Sequence, residues 1–189
     1  MEKKFAVLVS GTGTLLDAVI VADINISLVL ADRPCLGLEK AKAVGIPTEL
    51  LRRTDFGRKE AFNREEYTLG VVSILKRYGI DFVSMAGFMT VLSDVIFVDY
   101  KGRIINNPPS LLPLFKGEDA VGDALAAGVK ETGCTIHIAT EVLDEGPILG
   151  QVTVPVLPND TKAVLHERIK VQERILLPKV IREFAKTIQ

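Results

Sequence analysis

The sequence predicts an α/β fold: a mostly parallel sheet covered by helices on both faces, with an antiparallel β addition near the C-terminal part. Three observations carry this reading. Apolar runs of strand length alternate with longer stretches of helical period. The strand runs are near-continuously apolar, as strands buried on both faces must be. Ser10-Gly11, Gly87 and Asn106 each close a strand, so they should meet at the sheet's carboxyl edge, where such folds bind ligands.

The elements follow in order. Phe5 to Ser10 reads as a buried strand, Leu15 to Ala22 as a helix and Ile26 to Ala31 as a second strand. Leu38 to Val44 reads as a helix ended by Gly45 and Pro47, and Thr48 to Leu51 as a short strand. A long helix is expected from about Lys59 to Tyr78, then a strand from Asp81 to Ala86 and a short one around Arg103 to Asn106. From Cys134 the pattern changes. Cys134 to Thr140 and Leu149 to Val156 are β-rich, and the turn-forming Leu143-Asp144-Glu145-Gly146-Pro147 joins them, as antiparallel strands would require. Apolar residues at 165, 169, 176, 180 and 184 form one stripe of a helix from Thr161 to about Lys186. Asn159, Asp160 and Thr161 are its cap candidates, and Pro178 should kink or split it. The whole is Rossmann-like, and residues 1–189 read as a single domain.

Composition excludes several functions. A chain of 189 residues can bury roughly 70% of its unfolded surface. Acidic and basic residues nearly cancel, 24 against 23, so no global field favours nucleic acid or an anionic membrane. No apolar run reaches the roughly 18 residues a membrane span needs. The first apolar segment is too short for a signal peptide. Cys35 and Cys134 stand far apart with no CxxC spacing, which indicates neither a zinc site nor a disulfide framework. A cytoplasmic protein, monomer or homodimer, acting on small molecules without a metal is expected.

The motifs narrow this further. Ser10-Gly11-Thr12-Gly13-Thr14-Leu15 follows a strand and opens a helix, where backbone amides and the helix dipole suit a phosphate. Asp32 lies about twenty residues on, as a dinucleotide site would want. Leu16 replaces the third glycine of G-x-G-x-x-G, which disfavours a dinucleotide and leaves a mononucleotide phosphate, or a plain strand–helix turn. Gly87-Phe88-Met89-Thr90-Val91-Leu92 reads alone as a core-facing turn, or as an apolar slot for a flat heterocycle. Asn106-Asn107-Pro108-Pro109-Ser110-Leu111-Leu112-Pro113 is a stiff loop able to hold a carboxamide towards a cleft. Taken alone, Asn106 would equally satisfy its own turn.

This last loop closely resembles the Asn-x-His-Pro-Ser-Leu-Leu-Pro signature of folate-dependent formyltransferases, with Pro108 where the family carries its catalytic histidine. Thr140-Glu141-Val142-Leu143-Asp144-Glu145-Gly146-Pro147 resembles the same family's folate loop. In nearly its whole length the chain resembles the glycinamide ribonucleotide formyltransferase family. The resemblance implies the formyltransferase fold, and formyl transfer from 10-formyltetrahydrofolate, as co-substrate, to the amine of glycinamide ribonucleotide in purine synthesis. It implies Asn106 as oxyanion donor and Asp144 as the carboxylate that assists proton transfer. It further implies Gly11, Gly13, Thr14 and Leu15 at the substrate phosphate, and Lys170 and Glu173 at the ribonucleotide. Met89, Thr90, Val91 and Leu92, with Thr140, Glu141, Val142 and Leu143, would line the folate pocket. Without the resemblance, Lys170 and Glu173 read as a surface ion pair and His137 as a structural histidine. Arg58 and Lys59 are candidates for a basic contact near the folate tail.

Pro108 can neither donate nor accept a proton through its side chain, and losing a positioned acid–base group typically costs about 10²- to 10⁴-fold. Ligand binding with weak turnover is expected. Asn107 and Asp119 are the speculative substitutes, and Asp119 would need burial to raise its pKa. The competing readings are a non-catalytic folate- or ribonucleotide-binding protein and a formyltetrahydrofolate hydrolase. Length argues against a methionyl-tRNA formyltransferase, and Leu16 against a Rossmann oxidoreductase.

Overall fold

A computed structural model describes residues 3–117 and 119–188. Its centre is a seven-stranded sheet of order β3-β2-β1-β4-β5-β6-β7. The strands are β1 (Phe5–Val9), β2 (Leu28–Ala31), β3 (Thr48–Leu50), β4 (Phe82–Met85), β5 (Ile104–Asn106), β6 (Glu131–Ile138) and β7 (Ile148–Pro155). The first five run parallel; β6 joins β5 antiparallel, and β7 joins β6 antiparallel. The chain winds from β1 outwards through β2 to β3, then returns to place β4 on the other side of β1. That reversal opens a crevice between the carboxyl ends of β1 and β4.

Both faces of the parallel part are covered, so its strands carry apolar side chains in both directions. Val7, Val9, Val29 and Ala31 pack with Leu16 and Val19 of α1 (Thr14–Val21), Leu38 of α2 (Leu36–Ala43) and Leu177, Ile181 and Phe184 of α6 (Lys162–Thr187). The alternate residues Ala6, Leu8, Leu28 and Leu30 pack on the other face. Their partners are Tyr67, Val71 and Leu75 of α3 (Arg64–Tyr78), with Ile96 and Tyr100 of α4 (Ile96–Tyr100). A third cluster joins Val121 of α5 (Ala120–Ala126), Cys134, Val154, Leu165 and Ile169, seating α6 on the antiparallel strands.

Two expected elements differ. The helix expected from Lys59 begins at Arg64, because short 3-10 turns at Arg53–Phe56 and Lys59–Ala61 intervene. Asn63 N donates to Phe56 O across 2.7 Å and closes that loop on itself. Pro178 does not split α6, which runs unbroken over 26 residues. Leu177 and Pro178 are themselves buried, so packing outweighs the missing backbone donor. Thr161 alone of the three cap candidates caps α6; its hydroxyl accepts from Val164 N. Among the described residues, no helix is long and apolar enough to cross a membrane.

The N-terminus of α3 offers a clean test of local stabilisation. Asn63 Oδ1 accepts from Glu66 N (3.1 Å) and its Nδ2 donates to Glu66 Oε2 (2.9 Å), a reciprocal cap on an exposed turn. Asn63→Ala should lower stability by about 1 kcal/mol in urea unfolding. An unchanged midpoint would mean that the 3-10 turns, not the cap, hold the helix end.

Candidate functional site

The carboxyl ends of β1 and β4 are stitched together by backbone and hydroxyl groups. Ser10 N donates to Gly87 O (3.1 Å), and Met89 N donates to Ser10 Oγ (2.8 Å). The glycine-rich loop and the Gly87–Leu92 segment therefore share one wall. Gly13 caps α1 in the left-handed region (φ 72°) without a side-chain hydrogen bond. A Cβ there would stand 2.6 Å from the Gly37 Cα, so only glycine permits this close approach of loop and α2. Gly11 is exposed and Thr14 half-buried, while Leu15 points into the core and could meet a ligand only through its backbone. Asp17, in the first turn of α1, is neutralised by Lys40 at 2.5 Å.

Asp32 lies at the end of β2 and is buried, but it is not free for a ribose. Thr90 Oγ1 donates to it across 2.6 Å, and Arg33 binds it through Nε and Nη2 at 3.0 and 2.9 Å. Burial pushes its carboxyl up, yet the hydrogen bonds from Arg33, Thr90 and Ser10 outweigh burial and hold it below the ordinary range. The group braces the loop that carries Met89 and Thr90, which agrees with Leu16 in disfavouring a dinucleotide. The bracing was not visible in the sequence, although a serine and an acid at adjacent strand ends are a usable signal for it. Met89 and Val91 are exposed, Leu92 is half-buried and the Thr90 hydroxyl is spent on Asp32.

On the far side of β4, Asn106 ends β5 directly opposite His137 of β6. The loop from Ala139 to Pro147 folds back over this pair and brings in Asp144. Its backbone is left-handed (φ 55°), a conformation that asparagine and aspartate tolerate best among non-glycine residues. Asp144 Oδ1 stands 3.5 Å from Asn106 Nδ2 and 3.5 Å from His137 Nε2, while Oδ2 accepts from Gly117 N at 3.1 Å. Burial raises the Asp144 carboxyl; the His137 imidazole and the Gly117 amide more than offset this and hold it below the usual carboxylate range. Gly146 passes so close to the Ile138 carbonyl oxygen that a Cβ there would collide with it, which fixes the return of the loop. Thr140 is half-buried; Glu141, Val142 and Leu143 project outward.

The 107–113 loop hangs on Thr135 of β6. Thr135 N donates to Pro108 O (3.2 Å), Thr135 Oγ1 donates to Ser110 O (2.7 Å), and Leu112 N donates back to Thr135 Oγ1 (3.1 Å). Gln151 Nε2 ties in from β7, reaching Leu112 O and Thr135 Oγ1 at 3.0 and 2.8 Å. Pro108 is buried. A cavity of ≈ 280 Å³ opens at Asp144, lined also by Leu112, Pro113, Lys116, Glu145, Gly146 and Ile148. A larger cavity of ≈ 390 Å³ lies at the amino ends of β1 and β4, against Phe5, Phe82, Arg182 and Lys186. Its one carboxylate, Glu183, is held by Lys186 at 2.7 Å, and it lies at the end of the strands away from the glycine loop, Asn106 and Asp144, so the smaller cavity is the candidate site.

Neither proposed stand-in for an imidazole at 108 is a ready acid or base. Asp119 is exposed and caps α5 through Gly122 N, and the Lys162 hydrogen bond holds its carboxyl down, the reverse of the required shift. Asn107 is buried with Oδ1 unpartnered, and its side chain faces Glu173, whose carboxyl it helps hold down. Glu173 is only 5% exposed, so the surface ion pair with Lys170 is not formed; Lys170 lies 3.8 Å from Glu167 instead. Arg58 and Lys59 are exposed ahead of α3. Among the described residues, no group of three or more His, Cys, Asp or Glu is placed to hold a metal ion.

Burial pushes the Glu173 carboxyl up to about 7, partly countered by Asn107, Lys170 and Arg174. The folded value exceeds the ordinary 4.5, so stability from this group is complete below that pH and is lost as pH rises through about 7. Urea unfolding across this window should show the parent protein losing up to roughly 3 kcal/mol relative to Glu173→Gln. Parallel stability curves for the two proteins would refute the assignment.

Comparison with known proteins gives one consistent answer. The family described as formyl transferase matches residues 3–181. A phosphoribosylglycinamide formyltransferase of Mycobacterium tuberculosis is 38% identical over 179 residues, covering 92% of this chain and 81% of its own. The human trifunctional purine biosynthetic protein adenosine-3 is 39% identical over 184 residues, but the chain spans only 18% of that protein's length. Among solved structures, glycinamide ribonucleotide transformylase 1 from Symbiobacterium toebii superposes with a TM-score of 0.90 at 35% identity, covering 98% of this chain and 88% of that one. Phosphoribosylglycinamide formyltransferase from Brucella melitensis gives 0.86 at 38% identity, covering 98% and 96%.

Proposed function

The chain belongs to the formyl transferase family, and from that premise we propose that it transfers a formyl group from 10-formyltetrahydrofolate to the amine of glycinamide ribonucleotide, in purine biosynthesis. The observation that carries the reading is the meeting of Asn106 and Asp144 at 3.5 Å beside a cavity, from positions far apart in the chain. In the proposed reaction the amine attacks the formyl carbon, and negative charge grows on the formyl oxygen. Asn106 Nδ2 donates to that oxygen from a strand end that needs no reorganisation at the moment of reaction. Asp144 accepts the proton the amine sheds. Gly11, Gly13, Thr14 and the Leu15 backbone take the substrate phosphate, with Lys170 and Glu173 at the ribonucleotide. Met89 to Leu92 and Thr140 to Leu143 take the folate.

The proposal extends to a single formyltransferase-like domain over residues 1–189 and to a cytoplasmic setting. The latter draws on Cys35 and Cys134, both free thiols. Pro108 supports slow turnover with binding retained. A single turnover with both substrates, followed by mass spectrometry for formylated product alongside ligand affinity, tests the reading. Pro108→His should raise the transfer rate at least about tenfold by restoring an acid–base group. An unchanged rate in a folded variant that still binds both ligands would sink these roles. Ligand binding with no product from either protein would mark a binding protein of the same fold.

A further inference from the structure

His137 is 1% exposed, and its two ring nitrogens face only oxygen acceptors. Nδ1 lies 3.0 Å from the Ile138 carbonyl oxygen. A carbonyl can only accept, so Nδ1 carries a hydrogen. Nε2 then faces Asp144 Oδ1 at 3.5 Å and has no nearer partner among the described residues. In a neutral ring with its hydrogen on Nδ1, that nitrogen would present a lone pair to an ionised carboxylate, inside a site both groups share with little water. Two acceptors facing each other across a buried gap are unfavourable, because neither is satisfied. One proton between them removes the conflict. Asp144 already takes a hydrogen from Gly117 N on its other oxygen and is held below its usual range. With Oδ2 satisfied by an amide donor, the proton belongs in the gap between Nε2 and Oδ1.

We propose that His137 is a positioning residue that keeps this one proton against Asp144, and so supplies the proton handling that a proline at 108 cannot. His137 stands directly across from Asn106 in the β5–β6 register, so the proton is held beside the oxyanion donor. The other charged groups at this cavity, Lys116 and Glu145, pair with each other at 2.6 Å and leave Asp144 to His137. The inference rests on the formyltransferase reading and completes its proton balance. The bond from the amine nitrogen to the formyl carbon forms, and the bond from that carbon to the folate nitrogen breaks. The pair gives its proton through Asp144 to the departing folate nitrogen and recovers one from the attacking amine. Protons and charge end as they began. His137 never touches substrate; it determines whether Asp144 has a proton to give.

Two measurements on the full chain decide the matter. The chain has 2 histidines, so the ¹⁵N-labelled ring of His137 is assigned by comparison with a His166→Gln variant. At neutral pH both His137 ring nitrogens should carry hydrogen, and Asp144→Asn should leave only Nδ1 protonated. A bare Nε2 in the parent protein overturns the proposal. In single turnover at saturating ligands, His137→Gln keeps an N–H donor towards Asp144 but no transferable proton, and should slow transfer at least about tenfold with affinities unchanged. An unaltered rate in that variant also overturns it. Should the parent protein form no product at all, the functional reading fails while the ring spectrum still decides the state of His137.

Discussion

The arrangement turns on one buried carboxylate. Asp144 is drawn out of water by a loop in a left-handed conformation, a position of order 1 kcal/mol or more above relaxed backbone. An unpaired charge at such a place would be untenable. It persists because three separate segments converge on it: Gly117 from the loop before α5, Asn106 from the end of β5 and His137 from β6. Only the Gly117 contact, at 3.1 Å, has ordinary hydrogen-bond length. The two contacts at 3.5 Å are long for hydrogen bonds, so the carboxylate is fixed in place yet not saturated. That condition is what the proposed proton exchange at Asp144 requires.

The sheet makes this convergence possible. Parallel strands buried on both faces form a rigid platform, and winding in two directions from β1 leaves their carboxyl ends accessible only along one edge. Adding β6 antiparallel to β5 then does something a further parallel strand could not. It carries the chain inward across that edge, setting His137 beside Asn106 just before the loop that folds back with Asp144. The Ser10–Met89 and Asp32–Thr90 contacts perform the matching service on the other half of the edge. The candidate binding segments and the Asn106–Asp144 pair thus occupy neighbouring stretches of a single rim.

Much of this was legible in the residues. The continuous apolar runs at Phe5, Leu28 and Phe82 have strand length and end at turn signals, which marks strands buried on both faces, and the observed limits fall close to the expected ones. The start of α3 was missed because Lys59 to Phe62 has helical composition, and only the tertiary closure of Asn63 on Phe56 withdraws it. Helices α4 and α5, of 5 and 7 residues, are too short to display a period. Pro178 misled for the opposite reason, since local rules cannot anticipate how well its surroundings are packed. At the site, the linear motifs around Asn106 and Asp144 were visible. The partners of Asp32, the burial of Glu173 and the role of Thr135 were not, because each depends on contacts made across the fold.

Thr135 explains how position 108 can lose an imidazole without losing the loop. The hydrogen bonds that shape residues 108 to 112 need no N–H at position 108: Thr135 N donates to the Pro108 oxygen, Thr135 Oγ1 to the Ser110 oxygen, Leu112 N to Thr135 Oγ1 and Gln151 Nε2 to the Leu112 oxygen. Proline removes only an N–H, and no N–H is called for there. Its fixed φ adds stiffness to a segment already pinned from β6 and, through Gln151, from β7. Shape and reactivity are therefore separable at this loop. The hydroxyl of Thr135 and the amide of Gln151 preserve the first; the second rests with whatever proton the remaining headgroups can hold. That division lets the loop keep its shape with a proline at 108, while any proton handling falls, on the proposed reading, to His137 and Asp144.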